Sequence, residues 1–142
     1  MFYEHRTDRS DTTLRDLRGE YEANLVAAIE HVGVDRAVEE TGIARETLEG
    51  LVAGSSPDLT LSEAAAIQSL APEAPDADAI VDLACDHLLL GMSNAILDVD
   101  ALDRELDLDL GPKRIQRKLE RREPMTFEEF VRFQAAIASE QP

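Results

Sequence analysis

Apolar residues recur at spacings of three and four along nearly the whole chain, the period of an amphipathic helix. Leu14, Leu17, Tyr21, Leu25, Ala28, Ile29 and Val32 define a first helix ending near Gly33, with Asp11, Thr12 and Thr13 before it as capping residues. A short helix over residues 35–41 follows, Gly42 breaks the pattern, and residues 44–53 resume it with Leu48, Leu51 and Val52 apolar. Gly54-Ser55-Ser56-Pro57-Asp58 is a loop by composition. Thr60 followed three positions later by Glu63 is a capping box, and it opens a helix that carries Ala64, Ile67 and Leu70. The prolines of Ala71-Pro72-Glu73-Ala74-Pro75 mark a linker over residues 71–77.

Beyond the linker the same order of elements returns. Residues 78–95 read as a long helix with Ile80, Leu83, Ala84, Leu88, Met92 and Ile96 apolar, and residues 99–106 as a short one. A turn at residues 107–111 leads to a helix over 112–121, then to a second capping box, Thr126 with Glu129, before a helix carrying Phe130, Phe133 and Ile137. Val34-Asp35 matches Val99-Asp100 at an offset of 65. Ile43, Leu48 and Val52 match Leu110, Ile115 and Leu119 at 67, and the capping boxes match at 66. Matched caps together with matched core positions make a tandem duplication the better explanation. The expected fold is all-α, two tandem four-helix units, each with a helix-turn-helix-like core. Its expected divisions are a polar N-terminal arm 1–13, a first unit 14–70, the linker 71–77, and a second unit 78–139 with a basic helix 112–122.

Composition narrows the setting. The 142 residues hold 14 Lys and Arg against 30 Asp and Glu, a formal charge of −16. That balance argues against a general nucleic-acid coat or an anionic membrane surface, both of which want a basic face. Arg outnumbers Lys twelve to two, tryptophan is absent, and the apolar positions favour Ala and Val. In these respects the chain resembles the proteins of salt-in halophiles, whose hydrated acidic surfaces keep them soluble. No stretch approaches the ~18 apolar residues of a membrane span, and MFYEHRTDRS lacks an apolar signal core, so a cytoplasmic location is expected. A single cysteine, Cys85, excludes an intramolecular disulfide and a multi-cysteine zinc site.

In the first unit, Ala37-Val38-x-x-Thr41-Gly42-Ile43-x-x-x-Thr47-Leu48-x-x-Leu51 resembles the helix-turn-helix of phage repressors of the Cro/C1 type, over roughly residues 25–70. A small Ala37 lets two helices cross closely, Gly42 permits the turn between them, and Ile43 and Leu48 fill the space beneath. The second unit lacks that glycine and carries Leu106-Asp-Leu-Asp-Leu-Gly111 instead. The whole chain also resembles an uncharacterised haloarchaeal protein family, which implies an organism class and no activity.

Charge placement is the one strong functional signal. Residues 76–110 hold ten acids and one base, a net of −9, whereas residues 111–122 hold six bases and one acid, a net of +5. Both lysines of the chain lie in that second segment. At ~100° per residue Lys113, Arg114, Arg117, Lys118, Arg121 and Arg122 share one half of a helical cylinder, opposite Ile115 and Leu119. By the repeat this helix stands where helix-turn-helix proteins carry their recognition helix. Arginines there can contact phosphates and guanine, and Gln116 can read adenine. The corresponding first-unit helix has only Arg45 and Thr47 to offer as supporting contacts, with Glu46 and Glu49 against them. Six phosphate contacts carried from ~0.15 M to ~3 M salt would lose on the order of seven decades of affinity. A halophile's DNA binder must therefore rest on base-edge contacts, which favour Arg over Lys.

Catalysis finds little support. Cys85-x-His87 reads as a buried thiol beside a surface imidazole, and no phosphate loop or nucleophile elbow occurs. The pairs Asp98/Asp100 and Asp107/Asp109 lack the Gly and bidentate Glu of a calcium loop. The expectation is a non-enzymatic, regulatory protein that binds double-stranded DNA without cofactor or metal, with a homodimer left open. The alternative is a protein-interaction or dimerisation module whose basic helix pairs with acidic surfaces.

Overall fold

The computed structural model describes residues 1–4, 14–106 and 108–140, and every named element among them is an α-helix. These are α1 (Leu14–Val32), α2 (Val34–Thr41), α3 (Arg45–Val52), α4 (Leu61–Gln68), α5 (Ala77–Asn94), α6 (Val99–Leu106), α7 (Pro112–Leu119) and α8 (Phe127–Ser139). The proposed caps Asp11, Thr12 and Thr13 lie outside the described residues. So do Arg6 and Arg9 of the N-terminal arm.

Both capping boxes form. Thr60 Oγ1 accepts the Glu63 amide at 3.0 Å while Glu63 Oε1 accepts the Thr60 amide at 2.9 Å. Thr126 and Glu129 repeat both bonds at the same lengths. The two caps then pair with each other in an isolated antiparallel bridge. Leu61 N–H donates to the Met125 carbonyl and Phe127 N–H to the Leu59 carbonyl, both at 2.8 Å. Exchanging 59 with 125 and 61 with 127 maps this pair of bonds onto itself, so the contact is locally two-fold symmetric. Buried backbone donors at two helix starts are thereby satisfied by one another.

The helix ends correspond as well. Gly42, just before Ile43, is left-handed at φ 71°, and Asp109, just before Leu110, is left-handed at φ 58°. Asp takes that conformation at less cost than most side chains, because its short polar group bonds locally, so the turn survives loss of the glycine. After α3, Ser55 N–H reaches back to the Gly50 carbonyl at 2.8 Å, with Gly54 left-handed at φ 96°. After α7, Arg122 N–H reaches the Arg117 carbonyl at 2.8 Å, with Arg121 left-handed at φ 64°. Both are glycine-type C-terminal caps, yet the second is made by an arginine.

Among the described residues one hydrophobic core joins all eight helices. Leu17, Tyr21, Leu25 and Ile29 of α1 share it with Ala64 and Ile67 of α4, Ile80 and Leu88 of α5, and Phe127, Phe130, Phe133 and Ile137 of α8. Helix α1 packs on both α4 and α8, and α4 on α5, so residues 71–77 join parts of a continuous interior rather than two separate cores. Inside it the Tyr21 hydroxyl donates to Gln134 Oε1 at 2.6 Å.

The polar arm expected over residues 1–13 begins differently. Met1 to Glu4 form a turn that buries Phe2 completely, edge-on to Phe127 and Phe130 at centroid distances of 5.4 and 5.6 Å and to Tyr21 at 6.2 Å. The neighbouring Tyr3 carbonyl is bonded to His87 Nδ1 at 2.6 Å. A carbonyl can only accept, so Nδ1 carries the proton. Among the described residues no single helix is long and apolar enough to cross a membrane.

Candidate nucleic-acid interface

Helix α7 starts abruptly because its first two residues are built for it. Gly111 takes φ 85°, Pro112 occupies the opening turn, where its missing N–H costs nothing, and Gly111 N–H donates to Asp103 Oδ1 at 3.1 Å. Ile115 and Leu119 then fix the helix to the core. The opposite side faces solvent: Lys113, Arg114, Gln116 and Arg117 are all exposed.

The six predicted bases do not form one equivalent set. Lys113 and Arg117, one turn apart, have no ion-pair partner among the described residues. Arg114 Nε donates to Glu123 Oε1 at 3.2 Å, and its terminal nitrogen lies 3.1 Å from the same oxygen. That hydrogen bond holds the Glu123 carboxyl below its ordinary range. Gln116 is tied to Glu120 at 2.9 Å, and Arg122 lies 3.9 Å from the Glu120 carboxylate. Arg121 pairs with Asp82 of α5, which makes one member of the acidic segment an intramolecular counterion.

Lys118 departs most from expectation. It is 5% exposed, and its ammonium donates to the Pro124 carbonyl at 2.7 Å and to Glu129 Oε1 at 2.9 Å. At ~140° on the helical wheel it borders the Ile115 stripe, close enough to be drawn under the α7–α8 connection. Its charge is spent inside the protein, so it is withdrawn from the exposed set. The basic helix expected over 112–122 is also shorter. It stops at Leu119, and Arg121 and Arg122 belong to the cap that follows, off the regular wheel.

The supporting pair of α3 is weak in structure as in sequence. Arg45 lies between Asp35 at 2.6 Å and Glu49 at 3.8 Å, and Thr47 is half-buried. Of the acidic pairs, Asp98 accepts the Ala101 amide at 2.8 Å in a capping bond, while Asp107 lies outside the described residues. Cys85 is buried, and burial pushes its thiol up to about 11.

These residues define an all-α protein whose helices share one core and present one cationic helix face on an otherwise acidic chain. The chain belongs to a family of unknown function, DUF5791, whose model matches residues 17–140. Neither the curated proteins nor the solved structures contain a match to it.

Proposed function

We propose that this is a non-enzymatic, double-stranded-DNA-binding protein of regulatory type, built from two helix-turn-helix-like units, with α7 as the helix that enters the major groove. The observation that carries the reading is the exposed cationic face of α7, with Lys113 and Arg117 unpaired at its centre on a chain of net charge −16. Arg114 stands on the same helix, Arg122 lies in the cap that follows it, and Gln116 lies at the edge of the face. The paired left-handed turns at Gly42 and Asp109, and the matched caps at Thr60 and Thr126, support the tandem units. A halophilic host would explain the acidic remainder.

A second reading has a specific observation behind it. Arg114 and Arg121 already hold carboxylates, as they would when docking an acidic protein surface. One titration separates the two. Fluorescence anisotropy with duplex DNA, from 0.3 M KCl (chosen for the assay, about twice physiological ionic strength) upward, compares the wild type with Lys113→Ala/Arg114→Ala/Arg117→Ala. With Lys118 internal, between two and five cations remain for phosphates, so log–log salt slopes of about −2 to −4.5 are expected. The triple variant should flatten the slope and lose affinity. Equal affinity of both proteins would sink the DNA reading and leave the protein-docking one.

A further inference from the structure

A cavity of about 330 Å³ opens between the start of α4, the middle of α5 and the α7–α8 connection. That volume is at the small end of metabolite pockets, ~300–1,000 Å³. Its polar lining contains groups with bonding capacity left over. Among the first N–H groups of α4, Thr60 is answered by Glu63, Leu61 by the Met125 carbonyl and Glu63 by Thr60 Oγ1. Ser62 lines the cavity, and neither its N–H nor its hydroxyl has a partner among the described residues. Lys118, nearly enclosed, uses two of three ammonium hydrogens. Glu123 lines the cavity with a carboxylate whose side chain is 25% exposed and whose Oε1 is held by Arg114. Arg121 closes the same rim.

The charge count selects the ligand. Of the lining cations, Lys118 is matched by Glu129, Arg121 by Asp82 and Arg122, at 3.9 Å, by Glu120, while the lining Glu123 is matched by Arg114, so the charges around the cavity are already paired. A phosphate dianion would add two uncompensated charges at a partly desolvated place, which is costly. A zwitterion adds none. The remaining wall is apolar: Val81, Met125 and the Cys85 thiol, which stays protonated and behaves as a small hydrophobe.

We infer that the cavity binds a free α-amino acid with an apolar side chain. Its carboxylate meets the Ser62 N–H and hydroxyl and the Arg121 guanidinium, its ammonium meets the Glu123 carboxylate, and its side chain lies against Val81, Cys85 and Met125. The left-handed arginine fits this use. At the equivalent point after α3 the chain places Gly54, which the backbone prefers, and at 121 it keeps a long cationic side chain instead.

The test is calorimetry on the full chain with L-leucine, L-methionine and L-phenylalanine, with N-acetyl-L-leucine, L-leucinamide and inorganic phosphate as controls. At least one free amino acid should bind and slow alkylation of Cys85. Blocking either charged end of leucine should weaken binding about tenfold or more, the loss of one charge-assisted bond. Arg121→Gly preserves the left-handed turn, so the protein stays folded while affinity falls by a similar factor. Glu123→Gln should weaken leucine more than 4-methylpentanoate, which has no ammonium. The inference is overturned if none of the three amino acids gives heat or protects Cys85. It is equally overturned if N-acetyl-leucine or phosphate binds as tightly as leucine, or if Arg121→Gly binds as the wild type does. None of these readouts involves DNA, so they stand apart from the role of α7.

Discussion

Replacing Lys118 distinguishes an internal strut from a surface contact more sharply than any other single change. Its ammonium supplies a donor to the Pro124 carbonyl and to Glu129 Oε1, and Glu129 Oε1 also accepts the Thr126 amide in the α8 capping box. Lys118→Met keeps the apolar stem and removes only the charge. Two partners then lose their donor, one of them a carboxylate 16% exposed, which water reaches in part. Charge-assisted bonds are worth ~1.5–3 kcal/mol each, discounted for that partial rehydration, so about 2–3 kcal/mol should be lost. Lys118→Ala removes the stem as well and should reach about 3–5 kcal/mol, the range for stranding one member of a buried pair. For a chain of this length the alanine variant should melt about 10 °C lower or more. Lys113→Ala, on the exposed side of the same helix, should stay within about 0.5 kcal/mol. Urea unfolding followed by circular dichroism measures all three. A Lys118→Ala protein within 1 kcal/mol of wild type (the limit set here) that has nonetheless lost DNA affinity would refute the buried role and return Lys118 to the outer face.

The other expectations concern the core and the thiol. Phe2→Ala should cost about 3–5 kcal/mol by thermal or urea unfolding, since it empties a site ringed by Tyr21, Phe127 and Phe130; a change below 1 kcal/mol (the limit set here) would mean the N-terminal turn is not part of the core. Tyr21→Phe removes the buried bond to Gln134 and should destabilise by about 1–2 kcal/mol. Gln68, at the equivalent position of α4, is fully buried with neither amide atom bonded, so Gln68→Met should raise stability by about 1 kcal/mol. With its thiol at about 11 against an ordinary 9.0, Cys85 carries about a hundredfold less thiolate than a free cysteine at pH 8 (the assay pH), and alkylation of the ligand-free protein should accelerate only as pH climbs toward 11.

Most of the helical skeleton was legible because its signals are local. A capping box spans four residues, a left-handed turn shows as Gly42, and a core stripe repeats every three or four positions, so α1, α2, α3, α5 and α6 fall within one residue of expectation. Phe2 was not legible. Two aromatics inside a polar N-terminal segment carry no period, and their partners lie more than a hundred residues away on α8. The early end of α7 was hidden for a related reason. Arginine is a good helix former, so nothing at residue 121 announces the left-handed conformation that glycine marks at residue 54.

The same distinction governs the candidate site. A helical wheel sorts cations by direction and treats each as a free charge. What each can do depends on where its carboxylate lies, and here those partners stand 9, 11 and 39 residues away. Once these pairs are drawn, the +5 of residues 111–122 separates into two parts. Lys113 and Arg117 remain as unpaired cations on the outer face, available to an external polyanion. Lys118, Arg114, Arg121 and Arg122 are paired with carboxylates near the α7–α8 connection, and of these Lys118, Arg121 and Arg122 border the cavity. A single net charge per segment merges these roles, whereas substitution separates them. Changes at 113 and 117 should act on salt-dependent association and leave unfolding unchanged, and a change at 118 should do the reverse.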